Sequence, residues 1–339
     1  MAATKLIIQV PCFNEEQHLA TTLRELPRHV PGVSAVEILV IDDGSTDRTS
    51  EVARLNGADY IVRLSNNRGL AQAFRMGIDA ALRLGADIVV NTDGDNQYCA
   101  ADIERLIIPV LQGQAHMVVG DRDPANLQHF SRMKRLLQHY GSWVVRTLSG
   151  TEVPDTTSGF RAFSREAALQ LNVMSDFTYT LETIIQAGKK KLSVSHVRVR
   201  TNPDRRRSKL SGSMWSYVKR SAATIVRIYA VYEPLKVFSY AGGALILAGT
   251  AVGARFMYFY LSGRGNGHLQ SLILTALLIF VGFQTMLIGL VADLIGASRS
   301  LTEEILLRVR RLEMHDQRDD IERVARVEPR RPRVQGGHS

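Results

Sequence analysis

Short apolar runs alternate with segments of helical spacing along the first part of the chain. The runs cover residues 5–10, 36–41, 59–64, 87–91 and 116–119. Between the third and fourth runs, Leu70, Phe74, Ile78 and Leu82 fall on one face of a helix expected over residues 69–84. This alternation predicts an α/β fold with a mostly parallel sheet and helices on both faces.

Two much longer apolar runs cover residues 235–261 and 269–295. Each is long enough to cross ~30 Å of hydrocarbon and too apolar for an ordinary core helix. The loop between them, residues 262–268, has one Arg, whereas the flanks outside the pair are rich in Lys and Arg. The positive-inside rule therefore predicts an integral membrane protein with two spans, both flanks in the cytoplasm and the loop outside.

The segment before the first span has an amphipathic pattern, with Lys219, Arg220 and Arg227 set between apolar residues at helical spacing. The pattern is typical of a helix in a membrane interface, and a surface helix packed on the soluble part is the alternative. We expect a soluble domain over residues 1–212, an interfacial helix over 213–233, a transmembrane helix hairpin over 234–296, and a charged helix with a disordered tail over 297–339.

The charge of the chain agrees with a membrane partner. The net charge is +9, which favours nucleic acid or an anionic membrane surface. The basic residues cluster around the apolar runs and form no stripe interleaved with stacking aromatics, so we expect no nucleic-acid partner. Two cysteines and the lack of an N-terminal signal peptide predict a soluble domain that stays in the cytoplasm.

A pair of carboxylates directly follows the fourth run, in Asp93-Gly94-Asp95. Two carboxylates one residue apart on a turn can share one hard cation, with Gln97 as a further ligand or hydrogen-bond partner. A helix-loop-helix calcium site is the competing interpretation, because Glu104 falls at position twelve. It is disfavoured, since Tyr98 stands where such a loop needs Gly and a strand precedes the loop.

A second acidic turn, Asp42-Asp43-Gly44-Ser45, ends the second run. A carboxylate there can accept from the ring N–H of a base, or it can simply shape a turn and start a helix. Both acidic turns follow predicted strands, and ligands of parallel sheets bind at the carboxyl ends of strands.

The combination of five motifs resembles family 2 glycosyltransferases, and within them the polyprenyl-phosphate branch. The motifs are Pro11-x-x-Asn14-Glu15, Asp42-Asp43-Gly44-Ser45-x-Asp47, Asn66-x-Arg68-Gly69, Asp93-x-Asp95-x-Gln97 and Ser158-Gly159-Phe160-Arg161. They occur in the order and spacing of that family, over roughly residues 4–230. The resemblance implies a GT-A, Rossmann-like sheet domain followed by the interfacial helix and the two transmembrane helices.

The resemblance also implies roles for individual residues. The nucleotide-sugar pocket would be lined by Pro11, Asn14, Glu15, Asp42, Asp43, Asn66, Arg68, Gly69, Asp93 and Gly94. Mg²⁺ or Mn²⁺ would be held by Asp95, with Gln97 and Asp93. The acceptor phosphate would be met by Arg122, Ser131, Arg132, Arg135, Arg206 and Lys209. The catalytic set would be Asp93, Asp95, Arg122, Arg132, Ser158, Arg161, Arg206 and Lys209.

Two departures from the family pattern concern the acceptor residues. Asp121 replaces Ser in the family's Gly-Ser-Arg, and no Gly precedes Ser208 in the basic loop, so the matching Arg of Arg205-Arg206-Arg207 stays open. These basic residues could instead form a membrane-facing surface without specific contacts.

The resemblance implies an inverting enzyme that moves one sugar from a UDP- or GDP-linked donor to a polyprenyl phosphate, at a bacterial inner membrane. A lipid phosphate is already anionic near neutral pH and needs no strong general base. Asp155 is the nearest candidate base for a sugar hydroxyl acceptor, and Glu182 could orient an acceptor or pair with an Arg. Another lipid acceptor, such as diacylglycerol or ceramide, and a catalytically silent membrane scaffold are the alternatives. Small residues in the first span, such as Gly242, Gly243, Gly249 and Gly253, lead us to expect a homo-oligomer.

Overall fold

The computed structural model describes residues 4–122, 143, 145–147, 149–173, 179–202, 232–263 and 269–327, with residues 314–327 as backbone only. The chain divides into two compact units. One comprises Met1–Ser211 with Leu306–Ser339, and the other comprises Gly212–Ile305.

A mixed sheet forms the centre of the first unit. Within the described residues it has seven strands: β1 (Lys5–Cys12), β2 (Ala35–Asp42), β3 (Tyr60–Arg63), β4 (Ile88–Asn91), β5 (Met117–Asp121), β6 (Arg161–Ser164) and β7 (Val194–Arg198). Their order is β3-β2-β1-β4-β6-β5-β7. Among these strands, only β6 is antiparallel to its neighbours, β4 and β5. The mostly parallel sheet and the first five strands are therefore confirmed.

Helices cover both faces of this sheet. They are α1 (Leu19–Glu25), α2 (Thr49–Leu55), α3 (Leu70–Arg83), α4 (Ile103–Leu111), α5 (Arg165–Gln170) and α6 (Tyr179–Lys189). Side chains alternate across a strand, so Leu6, Ile8 and Val10 of β1 share one core cluster with α1 and α4. Gln9 points to the other face, where Gly77 lets α3 approach closely: a Cβ at Gly77 would lie 2.4 Å from Gln9 Oε1.

The helix expected over residues 69–84 is confirmed as α3. Its predicted face is buried at Phe74, Ile78 and Leu82, whereas Leu70 at its first turn is exposed. The Phe74 ring stacks on Tyr179 of α6 with centroids 4.1 Å apart and meets Phe163 of β6 edge-on. These ring contacts fix α3 against the strand and helix that follow the Ser158-Gly159 motif.

Two long helices, α7 (Pro234–Leu261) and α8 (Leu269–Val327), contain the apolar runs. Both are long and apolar enough to cross a membrane, and few of their side chains are buried within the protein. The charged helix expected after residue 296 is not separate, because α8 continues without a break through Gly296. A single Gly costs a helix only ~1 kcal/mol relative to Ala, and the sequence has no proline between Gly296 and Val327 to stop it.

Glycines of α7 pack against α8 within this hairpin. A Cβ at Gly242 would lie 2.5 Å from the carbonyl oxygen of Gly282, and one at Gly253 would lie 2.9 Å from Thr275 Cγ2. A Cβ at Gly243, by contrast, would meet no described atom within 4 Å. Gly242 and Gly253 therefore serve contacts inside the chain, and the homo-oligomer stays a prediction. Of the interfacial helix predicted over residues 213–233, residues 213–231 lie outside the described residues, and so does the predicted tail.

Candidate active site

The motif loops meet at one edge of the sheet because their strands are neighbours. β1 pairs in parallel with β2 on one side and β4 on the other, with Cys12 opposite Asp42 and Gln9 opposite Asn91. Chain connections diverge at this point, from β1 to β2 and from β3 to β4, which makes it a topological switch point of the kind where α/β sheets bind ligands.

The Asp93-Gly94-Asp95 turn lies directly above the end of β1. Gly94 is required there, because a Cβ would lie 2.7 Å from Cys12 Sγ. Thr22 Oγ1 donates a hydrogen bond of 3.0 Å to the Gly94 carbonyl oxygen and fixes the turn to α1. Asp93 and Asp95 are half-buried on either side of this fixed glycine.

The turn carries more negative charge than its surroundings neutralise. Burial, followed by the charge of Asp95, raises the pKa of Asp93 to about 7, even though the Arg122 guanidinium opposes the rise. Burial also raises the pKa of the neighbouring Cys12 thiol, and the charges of Glu15, Asp93 and Asp95 add to that rise. A bound cation would relieve this repulsion.

The donor set fits a divalent cation that shares its coordination with a ligand. Hard cations such as Mg²⁺ take carboxylate oxygens and keep several positions for phosphates and water. Among the described residues, no three His, Cys, Asp or Glu side chains converge to hold a metal by themselves. The chain thus supplies two carboxylates, Asp93 and Asp95, with the exposed Gln97 next to them.

The Ser158-Gly159 segment borders the same carboxylates. A Cβ at Gly159 would lie 3.1 Å and 3.2 Å from the two Asp93 carboxylate oxygens. The segment is held by the Gly159 N–H, which donates to Tyr98 Oη at 3.0 Å, and by Asn91 Nδ2, which donates to the Gly159 carbonyl oxygen at 2.8 Å. The motif therefore forms one wall of the Asp93 site.

Arg161 and Ser158 hold this wall from inside the protein. The Arg161 side chain is fully buried and donates to the carbonyl oxygens of Ser158, Thr180 and Thr156 at 2.6–2.9 Å. Burial lowers its pKa to about 10. Ser158 is also fully buried, and its Oγ accepts from the Phe160 N–H. Both side chains are bonded to groups of the wall itself, and their catalytic roles stay predictions.

Arg122 directly follows β5 and forms a bidentate ion pair with Asp155. Its Nε and Nη2 donate to the two Asp155 carboxylate oxygens at 2.7 Å and 3.1 Å, and Nη2 also donates to Thr157 Oγ1. Burial acts to raise the pKa of Asp155, but Arg122 more than offsets it and the net pKa is lowered. A buried, paired carboxylate is a poor general base, so Asp155 orients Arg122.

The first nucleotide-pocket motif is tied to the second through Asn14. Asn14 adopts a left-handed backbone with φ of 53°. Its N–H donates to Ser45 Oγ at 2.9 Å, and its Oδ1 accepts from the Thr46 N–H at 2.9 Å. The Glu15 N–H donates to Thr49 Oγ1. The loops after β1 and β2 are therefore one connected structure.

The third motif is tied to the second through Asp43. The Asp43 carboxylate accepts from the N–H groups of Arg68 and Gly69, each at 2.8 Å. Gly44, at φ of 69°, packs so closely that a Cβ would lie 2.4 Å from the Asn66 backbone. Asp42 is fully buried and accepts from the Ser45 N–H at 2.9 Å. Neither carboxylate is exposed, so a direct contact with a base stays a prediction.

Five of the residues expected at the acceptor phosphate are not part of this geometry. Arg122 is placed at the site, whereas the others lie outside the described residues: Ser131, Arg132, Arg135, Arg206 and Lys209. Their roles stay predictions.

Asn91, Tyr98 and Tyr179 belong to the site and were not expected there. Asn91 is fully buried at the end of β4 and donates to both the Gly159 carbonyl oxygen and Tyr179 Oη. A polar residue closing an otherwise apolar run, two positions before Asp93, was the available signal. Tyr98 and Tyr179 had no comparable signal in the sequence, because aromatic residues at helix and strand boundaries are usually core residues.

Comparison with known proteins places the chain among glycosyltransferases. The family model "Glycosyl transferase family 2" matches residues 7–171. An uncharacterized protein of Methanocaldococcus jannaschii is 34% identical over 202 residues, which cover 58% of this chain and 81% of that one. A UDP-N-acetylglucosamine–dolichyl-phosphate N-acetylglucosaminyltransferase of Methanococcus voltae is 28% identical, with 59% of this chain and 87% of that one covered.

Two further similarities extend this result. Glycosyltransferase AglJ of Haloferax volcanii is 27% identical over 312 residues, which cover 90% of this chain and 97% of that one. Among solved structures, glucosyl-3-phosphoglycerate synthase of Mycobacterium tuberculosis with Mn²⁺, UDP-glucose and phosphoglyceric acid has a TM-score of 0.51 at 21% identity, over 66% of this chain and 80% of that one. The similarity to this solved structure shows a related fold alone.

Proposed function

Because the chain belongs to glycosyl transferase family 2, we propose that it moves a single sugar from a nucleotide-sugar to a polyprenyl phosphate, with inversion, at the cytoplasmic face of a membrane. The observation that carries the proposal is the Asp93–Asp95 pair. It combines unneutralised negative charge, a fixed glycine between the carboxylates and a location at the switch point of the sheet.

Support for a metal–diphosphate role comes from the charge of this pair. A divalent cation, Mg²⁺ or Mn²⁺, would neutralise charge on a leaving diphosphate when bound. Asp95 accepts a hydrogen bond from the N–H of the exposed Gln97. We assign Asp95 the main contact with the cation, with Asp93 beside it. The related fold of the mycobacterial synthase, solved with Mn²⁺ and UDP-glucose, is consistent with this assignment.

Support for a lipid acceptor comes from two independent features. The Methanococcus voltae relative is named for transfer to dolichyl phosphate. The chain itself has two helices long and apolar enough to cross a membrane. A membrane-embedded acceptor that ends in phosphate fits both, and diacylglycerol or ceramide fits only the second.

The reaction would be a direct displacement. A phosphate oxygen of the lipid attacks the anomeric carbon, the bond from that carbon to the diphosphate breaks, and the nucleoside diphosphate leaves with the electron pair. The attacking group is a phosphate monoester with a second pKa of about 6, so no strong base is needed. The ion pair of Arg122 with Asp155 agrees with this, because an Asp155 carboxylate held by Arg122 is a poor base.

In this mechanism the chain's work is positioning and electrostatic stabilisation. Arg122, held rigidly by Asp155, presents a cation beside Asp93. Gly159 keeps the space next to Asp93 free of side-chain atoms. Asn91, Tyr98 and Arg161 hold that wall in place.

The test is transfer of label by the purified full chain in nanodiscs. Radiolabelled UDP- and GDP-sugars are incubated with Mn²⁺ or Mg²⁺ and, in separate arms, undecaprenyl phosphate, diacylglycerol or ceramide. We expect label in the polyprenyl-phosphate arm only, in a product of inverted anomeric configuration. Label in another arm instead moves the assignment to that lipid, and binding of nucleotide without label in any arm indicates a silent scaffold.

The metal assignment is tested with the Asp95→Ala variant. Loss of label by at least about a hundredfold is expected, because an interaction with developing charge in the transition state is removed. Asp79→Ala is the matched control, since Asp79 is an aspartate on the surface of α3 that pairs with Arg83. Equal activity of Asp95→Ala and Asp79→Ala contradicts a metal role for Asp95.

A further inference from the structure

The segment after β7 is bound to the turn that contains Asp95 and Gln97. Asn202 makes three hydrogen bonds to three successive carbonyl groups of that turn. Its N–H donates to the Gln97 carbonyl oxygen at 2.9 Å, and its Nδ2 donates to the carbonyl oxygens of Asn96 and Tyr98 at 3.0 Å and 3.3 Å. One residue thus supplies partners to the whole stretch that follows Asp95.

The turn needs such an external partner. Asn96 has a left-handed backbone with φ of 59°, a conformation that costs L-residues energy and that Asn tolerates better than most. Residues 96–98 precede the short 3₁₀ turn Ala100–Asp102 and belong to no described helix or strand. Their carbonyl groups consequently depend on contacts from elsewhere in the chain.

Asn202 is itself fixed by contacts that do not involve its side chain. Thr201 forms an antiparallel bridge with Tyr98, and the Arg200 carbonyl oxygen accepts from the Cys99 N–H at 3.1 Å. The Arg200 N–H donates to the fully buried Asp102 carboxylate at 2.6 Å, and the Arg200 guanidinium contacts the same carboxylate at 2.9 Å. Removing the Asn202 side chain therefore leaves the backbone of residues 200–202 attached.

We propose that Asn202 is a positioning residue for the metal site: its amide holds the Asp95–Gln97 turn in the conformation that presents these side chains to the cation and diphosphate. This inference rests on the proposed function. Asn202 does not touch the reacting atoms, and its effect reaches them through the carbonyl groups of Asn96 and Tyr98.

The experiment compares Asn202→Ala with Asn56→Ala in the full chain. Asn56 is a matched control, because its Nδ2 also donates to a backbone carbonyl, that of Val52 at 2.8 Å, and it is likewise half-buried. Mn²⁺ binding is measured by electron paramagnetic resonance with UDP, and separately with GDP. Two lost hydrogen bonds predict roughly tenfold weaker Mn²⁺ binding for Asn202→Ala, and an unchanged affinity for Asn56→Ala.

Amide hydrogen exchange gives a second readout that a general loss of stability would not produce. Faster exchange confined to residues 95–99 is expected in Asn202→Ala. In the unmodified chain, the Asn202 amide itself should exchange slowly, because it donates to Gln97; this measurement needs no variant. Equal Mn²⁺ affinity in both variants, or an Asn202 amide that exchanges at the unprotected rate, overturns the proposal.

The failure of the proposed function is distinguishable from these outcomes. If the unmodified chain binds no Mn²⁺ with either nucleotide, the metal–nucleotide assignment is overturned and the positioning role goes with it. If the unmodified chain binds Mn²⁺ and Asn202→Ala binds it equally well, only the positioning role is overturned.

Discussion

At the scale of single residues, Asp93 combines a functional location with a cost in stability. Its pKa of about 7 in the folded chain lies above the usual aspartate value near 4. The folded state therefore binds more protons than the unfolded state between these pH values, and stability falls as pH rises through that window. Function and stability make opposite demands on this carboxylate.

Asp93→Asn tests this conflict directly. Without metal, in the presence of a chelator, the variant should unfold at a higher temperature than the unmodified chain. The gain should grow from pH 4 to pH 7, level off above, and correspond to about 1–4 kcal/mol at pH 8. Transfer activity should be lost. Thermal unfolding in detergent across pH measures the gain, and a gain that is equal at pH 4 and pH 8 contradicts the explanation.

Gly159 is the second residue whose role is set by its surroundings. In Gly159→Ala, the new methyl group would lie 2.8 Å from Tyr179 Oη and 3.1 Å from an Asp93 oxygen. Contacts that short force a shift of the wall or of the carboxylate, and we expect kcat to fall by roughly a hundredfold. Gly296→Ala is the control, because its Cβ would meet no described atom within 4 Å. Steady-state kinetics of both variants decide the matter.

Roles of residues were harder to predict from the sequence than their presence at the site. Asp93, Asp95 and Gly159 could be placed there because they follow strands or belong to recognisable motifs. The burial of Arg161 and Asp43 could not, because it depends on carbonyl and N–H groups from residues 156, 180, 68 and 69 that meet only in the folded chain.

At the scale of elements, the strands were predictable where their apolar runs are continuous. β1, β2 and β4 are buried parallel strands and gave clear runs. β6 has only four residues and starts with the buried Arg161, and β7 is a partly exposed strand with His196 and Arg198 in it. Neither sequence pattern indicates a strand, because both segments become strands by pairing with neighbouring strands in the folded chain.

The Arg122–Asp155 pair links the end of β5 to the loop that leads into β6. Asp155→Asn leaves Arg122 partly buried without its charged partner, which predicts a loss of about 3 kcal/mol of stability together with lower kcat. Asp79→Asn is the control, since the Asp79–Arg83 pair has similar length, 2.9 Å, but lies on an exposed helix surface where pairs contribute little.

The pH dependence of this pair gives a further check in the same experiment. The pKa of Asp155 is lowered in the folded chain, so its stabilising contribution is present above pH ~4 and is lost on further acidification. The stability difference between the unmodified chain and Asp155→Asn should therefore shrink below pH 4. A difference that persists unchanged in acid, or equal effects of the two variants, contradicts a buried ion pair.

At the scale of the whole molecule, the predicted membrane topology can be tested by thiol labelling. Ser262→Cys lies between the two apolar runs and Thr302→Cys lies beyond them, and both positions are exposed. In a background with Cys12 and Cys99 replaced by Ser, a membrane-impermeant thiol reagent should label Ser262→Cys in intact cells. Thr302→Cys should be labelled only after lysis, and the reverse pattern contradicts a cytoplasmic soluble domain.

The antiparallel strand β6 has a consequence for synthesis of the chain on the ribosome. β5 has no described pairing with β1–β4 except through β6, which lies between β4 and β5. A nascent chain that ends after β5 can assemble β3-β2-β1-β4, but it lacks the strand that joins β5 to them. Gly159 and Arg161 emerge together with β6, so the joining of β5 to the other strands and the formation of the wall beside Asp93 are the same event, before β7 pairs with β5.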